Sequence, residues 1–290
     1  MTRRFILNAD GFGMSKAINR AVAEAYEVGF LKSVSLTPNG KEYDEAAEKI
    51  LPESPELAVG IHLNITEGKS LCSDVEELTD KDSKFNNNIF KLIYKSYNPK
   101  EKEFLPQVER EFRRQIEKVL SKAKVYHIDS NGYIHLIPPL FDMVCRLAQE
   151  YQIPYVVTCF EKMYIIPEVY RILHKDYFIN LLKKFCLNMF SVLNENTVRK
   201  YGLKTNDYVI GTSYAASMDA LAVSYGIKDF KYENIIIETI IHPCRYEEGV
   251  IDNNFDQYML SRNNKLADRI LRLGYYITNY KEIWEADNKD

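Results

Sequence analysis

"RFILNADGFGMSKAINRAVAEAYEVG", residues 4–29, contains a complete strand, loop and helix. Phe5, Ile6 and Leu7 form a short apolar run that stops at a polar corner holding Asn8 and Asp10. Beyond the corner, Ala17, Ile18, Ala21, Val22, Ala25 and Tyr26 recur at helical spacing and make one stripe, with Ser15 placed to cap the helix and Gly29 to end it.

The same unit recurs along the chain. "KSVSLTP" (32–38) reads as a strand, "EYDEAAEKIL" (42–51) as a helix and "ELAVGIHLN" (56–64) as a strand. The long amphipathic helix "EFLPQVEREFRRQIEKVLSK" (103–122) leads into "VYHIDS" (125–130), and "PLFDMVCRLAQEY" (139–151) leads into "PYVVTC" (154–159). Near the end, "NIIIETIIHP" (234–243) reads as a strand, "QYMLSRNNKLADRILRLG" (257–274) as one helix and "YYIT" (275–278) as a last strand. Strands alternating with helices imply a parallel sheet buried on both faces, and about six to eight such units predict closure into a TIM-like (β/α) barrel, distorted or incomplete. Residues 66–100 and 160–205 break the rhythm and read as insertions within one domain spanning 1–290.

Composition narrows the partners. With 38 basic and 41 acidic residues the charge is close to balance, which argues against nucleic acid or an anionic membrane surface. Cys72, Cys145, Cys159, Cys186 and Cys244 are odd in number and lack C-x-x-C spacing, as expected of free thiols in a reducing compartment. The basic start "MTRRFILNAD" is too short in apolar residues for a signal peptide, and no stretch approaches the roughly 20 apolar residues of a membrane span. A soluble cytoplasmic protein is the expectation.

In a parallel barrel, polar residues at the C-terminal ends of strands converge on one mouth. Four strand ends here carry Asn8 and Asp10, His62 and Asn64, His127 and Asp129 with His135 in the same segment, and His242, which places four of the five histidines together and leaves His174 apart. If "HIDSNGYIH" (127–135) is extended throughout, Asp129, Asn131, Tyr133 and His135 share a face, with His135 roughly 13 Å beyond Asn131 at about 3.3 Å per residue.

At these positions the chain resembles the YdjC family of carbohydrate deacetylases. "NADGFGMS" stands against N-A-D-D-F-G-x-S, "GIHLNITEG" against G-x-H-x-x-x-T-x-G, "HIDSNGYIH" against H-x-D-S-H-x-H-x-H, and "IHPC" against a strand ending in H-P-G. The resemblance covers nearly the whole chain and implies a (β/α) barrel of the deacetylase type that removes acetyl groups from N-acetyl sugars such as chitin disaccharide. It also implies a divalent metal, zinc or magnesium, and a homodimer. Carried over by position, it makes Asp10 the base, His62 a metal ligand and His242 the acid. The two other family ligand positions hold Gly11 and Asn131, Tyr133 stands for a histidine, and Cys244 for the glycine of H-P-G. An arginine frequent in the family near "PYVVTC" is absent.

Amide hydrolysis needs a nucleophile, and a metal makes one by lowering the pKa of bound water from 15.7 to about 7. A general base and acid contribute about 10²–10⁴-fold and do not replace the ion. Glycine offers no ligand atom, and the asparagine amide is a weak neutral donor, so a ligand set of Asp10, His62, Asn131 and water is the remaining metal option. Each residue also has a plain structural role to weigh: His62 as a satisfied core histidine, Asp10 as a helix-capping carboxylate, His242 as a strand end. Asp129 reads equally as a group that fixes a neighbouring imidazole and as one that does chemistry, His127 as a supporting group, Asn8 and Thr66 as shapers of loops, Tyr133 and His135 as sugar contacts or filling. Two functions follow: a carbohydrate deacetylase with an altered metal site, or a metal-free protein on the same fold that binds sugars or acts as a scaffold.

Overall fold

The structure, a computed structural model, describes residues 2–168, 170, 173, 175–246 and 252–288, so His174 lies outside the described residues. The first unit forms as read. Strand β1 (Arg3–Phe12) leads into helix α1 (Lys16–Val28), where the Ile18 N–H donates to the Ser15 hydroxyl at 3.3 Å and the Gly29 N–H closes the last turn on the Ala25 carbonyl at 3.1 Å.

Seven further strands are β2 (Ser33–Leu36), β3 (Ala58–Leu63), β4 (Val125–Ser130), β5 (Tyr155–Val156), β6 (Tyr208–Ile210), β7 (Ile236–Ile241) and β8 (Tyr275–Thr278). Every pairing between them is parallel, in the order β5-β4-β3-β2-β1-β7-β6. Strand β8 pairs with the first half of β1, Arg3–Ile6, on the edge that β2 occupies from Asn8 onward. The outer strands β5 and β6 meet through a loose seam. The Val156 N–H donates to the Lys204 carbonyl and the Lys204 N–H to the Pro154 carbonyl, both at 3.0 Å, and the Val209 N–H donates to Phe160 at 2.9 Å. Between them Asn206 bridges Thr158, accepting its N–H at 2.8 Å and donating to its carbonyl at 3.0 Å. The result is a distorted (β/α) barrel.

Side-chain alternation along each strand divides the interior. Phe5, Leu7, Ala9, Val34, Leu36, Val59, Ile61 and Leu63 face outward into the large apolar core beneath the helices. A smaller cluster of Ile6, Tyr126, Tyr155, Val157, Ile236, Tyr280 and Ile283 plugs the bottom of the barrel. Above that plug the inward positions turn polar, which is why β1 reads Ile6, Asn8, Asp10 on one face.

Three expectations need correction. The stretch 127–135 is not one strand: β4 ends at Ser130, and Asn131–Leu136 forms a 3₁₀ turn with Gly132 and Tyr133 at φ of 63° and 59°. Asn-Gly favours such left-handed backbone, and the turn folds His135 back to within 2.6 Å of Ser130 Oγ, so the common face of 129, 131, 133 and 135 does not exist. The helix expected over 257–274 is two, Asn253–Ser261 and Asn264–Arg272, because the Asn263 side chain accepts the Leu266 N–H at 3.1 Å and starts a new one. "PYVVTC" contributes only the two residues of β5. Of the stretches that break the rhythm, 160–205 holds a 26-residue helix, here called α2 (Lys175–Lys200).

Candidate active site

Asp10, His62 and Asp129 come from the ends of β1, β3 and β4 and are all buried. One ligand-type atom from each lies within 4.8 Å of the others. His62 Nδ1 is 2.7 Å from Asp129 Oδ1 and 3.7 Å from Asp10 Oδ2. Around them, Asn8 Nδ2 donates to Asp10 Oδ1 and to Ser35 Oγ, each at 2.9 Å, and the Ser35 hydroxyl donates to Asp129 Oδ2 at 2.6 Å. Beneath, Ser35 Oγ is 3.0 Å from His127 Nε2.

Gly60 makes this layer possible. A Cβ there would fall 2.1 Å from His127 Nε2, so only glycine on β3 lets the ring occupy the barrel axis, where it packs on Tyr280 at 4.5 Å between centroids. The Nδ1 of His127 is buried with no partner among the described residues.

Electrostatics sort these groups. Burial raises the pKa of Asp10 well above the usual carboxylate value, and the neighbouring charge of Asp129 adds to the rise. Burial works against the charge of Asp129 too, but His62 outweighs it and holds Asp129 below its ordinary value. For His62, burial opposes protonation while the two carboxylates overcome it and lift the pKa to about 9. Desolvation drives His127 and His135 down to about 4, so both are neutral at pH 7. At neutral pH His62 is an imidazolium held against the ionised Asp129, while burial disfavours the charge on Asp10.

His242 follows β7 directly, and the pairing of Ala9 with Ile241 sets it beside Asp10 at the mouth. It is accessible to solvent yet hemmed in by protein, as a side chain lining a concavity is, and burial followed by the charge of His62 lowers its pKa. Asn131 sits at the rim with its amide nitrogen donating to Thr66 Oγ1 at 2.9 Å and Glu67 Oε1 at 2.7 Å. Tyr133 is partly exposed, with the Lys183 ammonium 5.9 Å from its ring centre. Its left-handed backbone is strain of the kind that surrounding structure must hold in place. His135, in contrast, is fully buried with Nδ1 on Ser130 and Nε2 2.8 Å from the Val157 carbonyl, a ring committed on both sides. Gly11 lies in a β-bulge at φ 78°, and a Cβ there would touch Ile18 and Met14 at 3.5 and 3.7 Å.

The donor set decides what the centre can hold. Two carboxylates and one imidazole suit a hard or borderline divalent cation. A buried Asp10–His62–Asp129 group could hold a metal, with Asp129 standing where the sequence reading had placed Asn131.

Three contributors escaped the sequence reading. Ser35 links Asn8, His127 and Asp129, and its signal was the Ser33–Ser35 alternation within an apolar strand. Glu238, a lone acid in "IIIETII", is buried inside the barrel, accepts the Tyr280 hydroxyl at 2.8 Å, and has its pKa raised well above normal by desolvation. Glu161 is held by the N–H groups of Gly211, Thr212 and Ser213 at 2.6, 2.9 and 2.9 Å, with the Lys184 ammonium at 3.6 Å, which latches the β5–β6 seam. Only its place in the fold reveals that role.

The YdjC-like protein family model matches residues 4–285. A carbohydrate deacetylase of Brevibacillus brevis is 37% identical over 152 residues, which is 52% of this chain and 58% of that protein. One of Clostridium beijerinckii is 38% identical over the same shares, and one of Listeria monocytogenes 35% identical over 51% and 58%. The aligned stretch thus spans less than two thirds of these relatives. Among solved structures, a "putative cellobiose-phosphate cleavage protein" of Enterococcus faecalis superposes with a TM-score of 0.74 over 98% of this chain and 99% of that one, at 20% identity.

Proposed function

The chain belongs to the YdjC-like family, and on that premise we propose that it is a carbohydrate deacetylase that hydrolyses the acetamide of N-acetylated sugars or short oligosaccharides. The observation that carries the reading is the convergence of Asp10, His62 and Asp129, with His242 alongside, at the open end of the barrel. A structural role alone does not call for two buried acids around one histidine, because burying charge costs several kcal/mol per ion. The deacetylases among its relatives support the chemistry.

Asp10 is the base. Burial and the charge of Asp129 raise its pKa, which makes its carboxylate a better proton acceptor. Asp129 orients His62 through their 2.7 Å bond and keeps the acidic charge on itself. His242 is neutral at rest and delivers to the leaving nitrogen a proton that it first takes up at the site. Asp10, His62 and Asp129 would hold a divalent cation, zinc or magnesium, whose chemistry is to acidify water and polarise the amide carbonyl. Tyr133 offers a ring face at the mouth for the sugar.

A second reading, a metal-free barrel that binds sugar without turnover, is favoured by Gly11 and Asn131, which remove two family ligands. Metal analysis of the purified protein, followed by acetate release from chitin disaccharide with zinc or magnesium added, separates the two. Release that falls by about 10²-fold or more in Asp10→Asn supports the enzyme. Sugar binding without metal and without release overturns it.

A further inference from the structure

Ser35 fixes the direction of the hydrogen bonds beneath the centre. Asp129 is ionised and only accepts, so the Ser35 proton goes to its Oδ2 at 2.6 Å, and one Ser35 lone pair takes the Asn8 amide at 2.9 Å. His127 Nε2, 3.0 Å from the same oxygen, can then meet it only as a donor. Nε2 therefore carries the proton of the neutral ring, and Nδ1, buried without a partner among the described residues, is a lone pair in need of a donor.

Glu238 is the complementary group. It pairs with Ile6 on the inward face of β7, is fully buried, and has no salt-bridge partner among the described residues. Its Oε2 accepts the Tyr280 hydroxyl at 2.8 Å. Placed so, a carboxylate would be an unpaired buried charge and a carboxylic acid would not, and burial raises its pKa accordingly. With Oε2 engaged as an acceptor, the acid proton belongs on Oε1, which is buried and has no partner among the described residues. Tyr280 joins the two orphans: its hydroxyl holds Glu238, and its ring packs 4.5 Å from that of His127. Asn8 Oδ1 and Ser33 Oγ, on the inward faces of β1 and β2, are also buried without partners among the described residues. Of the four atoms Nδ1 and Oδ1 only accept while the two others can donate, which is the complement of a water molecule.

We propose that Glu238 is a positioning residue for the Asp10–His62–Asp129 centre: as a neutral acid it donates through a buried water to His127 Nδ1, and so fixes the ring that steers Ser35 onto Asp129. The donors then run one way, from Glu238 through water, His127 and Ser35 to Asp129 Oδ2, while His62 closes on Oδ1 at 2.7 Å. Hydrogen bonds aligned in one sense polarise one another, and this series ends on the ionised carboxylate. Its use in chemistry rests on the deacetylase reading; the order of donors does not.

Nitrogen-15 NMR of the unmodified, ion-free chain at pH 7 reads that order directly. His127 should show one neutral tautomer, protonated at Nε2 and hydrogen-bonded at Nδ1. Glu238→Leu removes the donor, and should bring in the second tautomer and weaken zinc binding by about 10–100-fold in calorimetry. Glu238→Gln keeps a neutral N–H donor in the same place and should rescue both. A His127 protonated at Nδ1 in the unmodified chain, or a leucine variant that behaves like the parent, would overturn the proposal. So would a glutamine variant as impaired as the leucine one, because Glu238 would then act as a charge. If the tautomer and the rescue appear but the unmodified chain releases no acetate from chitin disaccharide, the deacetylase reading falls and the series of donors stands.

Discussion

His62 Nδ1 and Asp129 Oδ1, at 2.7 Å inside the barrel mouth, form the bond on which the charge state of the centre depends. The folded-state pKa of His62, about 9, lies above its ordinary 6.5, so the stability it contributes is complete below pH 6.5 and fades as pH rises through 9. Asp129→Asn removes one of the two carboxylates that hold the proton. Its His62 resonance should titrate well below 9 by NMR, and divalent-ion affinity should fall about 10–100-fold by calorimetry. An unchanged titration would mean that Asp10 alone sets the charge.

Gly60→Ala places a methyl in the space of the His127 ring, which Ser35 and Tyr280 fix on its other sides. The variant should lose about 1–3 kcal/mol in urea unfolding, the usual cost of overpacking. Wild-type stability would show that the ring swings aside freely.

Restoring the family ligands is a test of the residue mapping. Gly11→Asp brings a carboxylate but at φ 78°, where a side chain costs about 1–2 kcal/mol, so the single variant should be less stable than the parent. Combined with Asn131→His it should tighten zinc binding at least about tenfold by calorimetry. No gain in the double variant would mean that the bulge at Gly11 and the turn at Asn131 do not present ligands to a common ion.

The Glu161 latch should matter more to the fold than any surface pair. Glu161→Ala leaves three N–H donors and Lys184 without their carboxylate in a buried setting, and should cost about 3–5 kcal/mol in chemical denaturation. Cutting an exposed pair such as Lys122–Glu48 should leave the denaturation midpoint almost unchanged.

How much of this was legible in the sequence depends on how local the cause is. The capped helix after β1 and the polar strand ends at Asp10, His62, Asp129 and His242 follow from nearest-neighbour chemistry, and the barrel follows from their repetition. The H-x-D-S alternation predicts a strand that continues through Asn131, whereas Asn-Gly turns the chain out of it after Ser130. His135 accordingly changes from a mouth residue to a buried ring between Ser130 and Val157. Ser35 and Glu161 acquire their roles from segments roughly 50 to 90 residues away, and no window along the chain carries that information.

Strand β1 is flanked by β7 on one edge and shares the other between β8 and β2. A nascent chain leaving the ribosome thus makes its first strand long before two of that strand's three partners exist. Until residues 236–278 emerge, Arg4 to Ala9 lack the β7 partner along one edge and Arg3 to Ile6 lack β8 along the other, a sticky ribbon of the sort that chaperones bind. Translation stalled ahead of Ile236 should therefore yield an aggregation-prone intermediate rather than a half-built barrel.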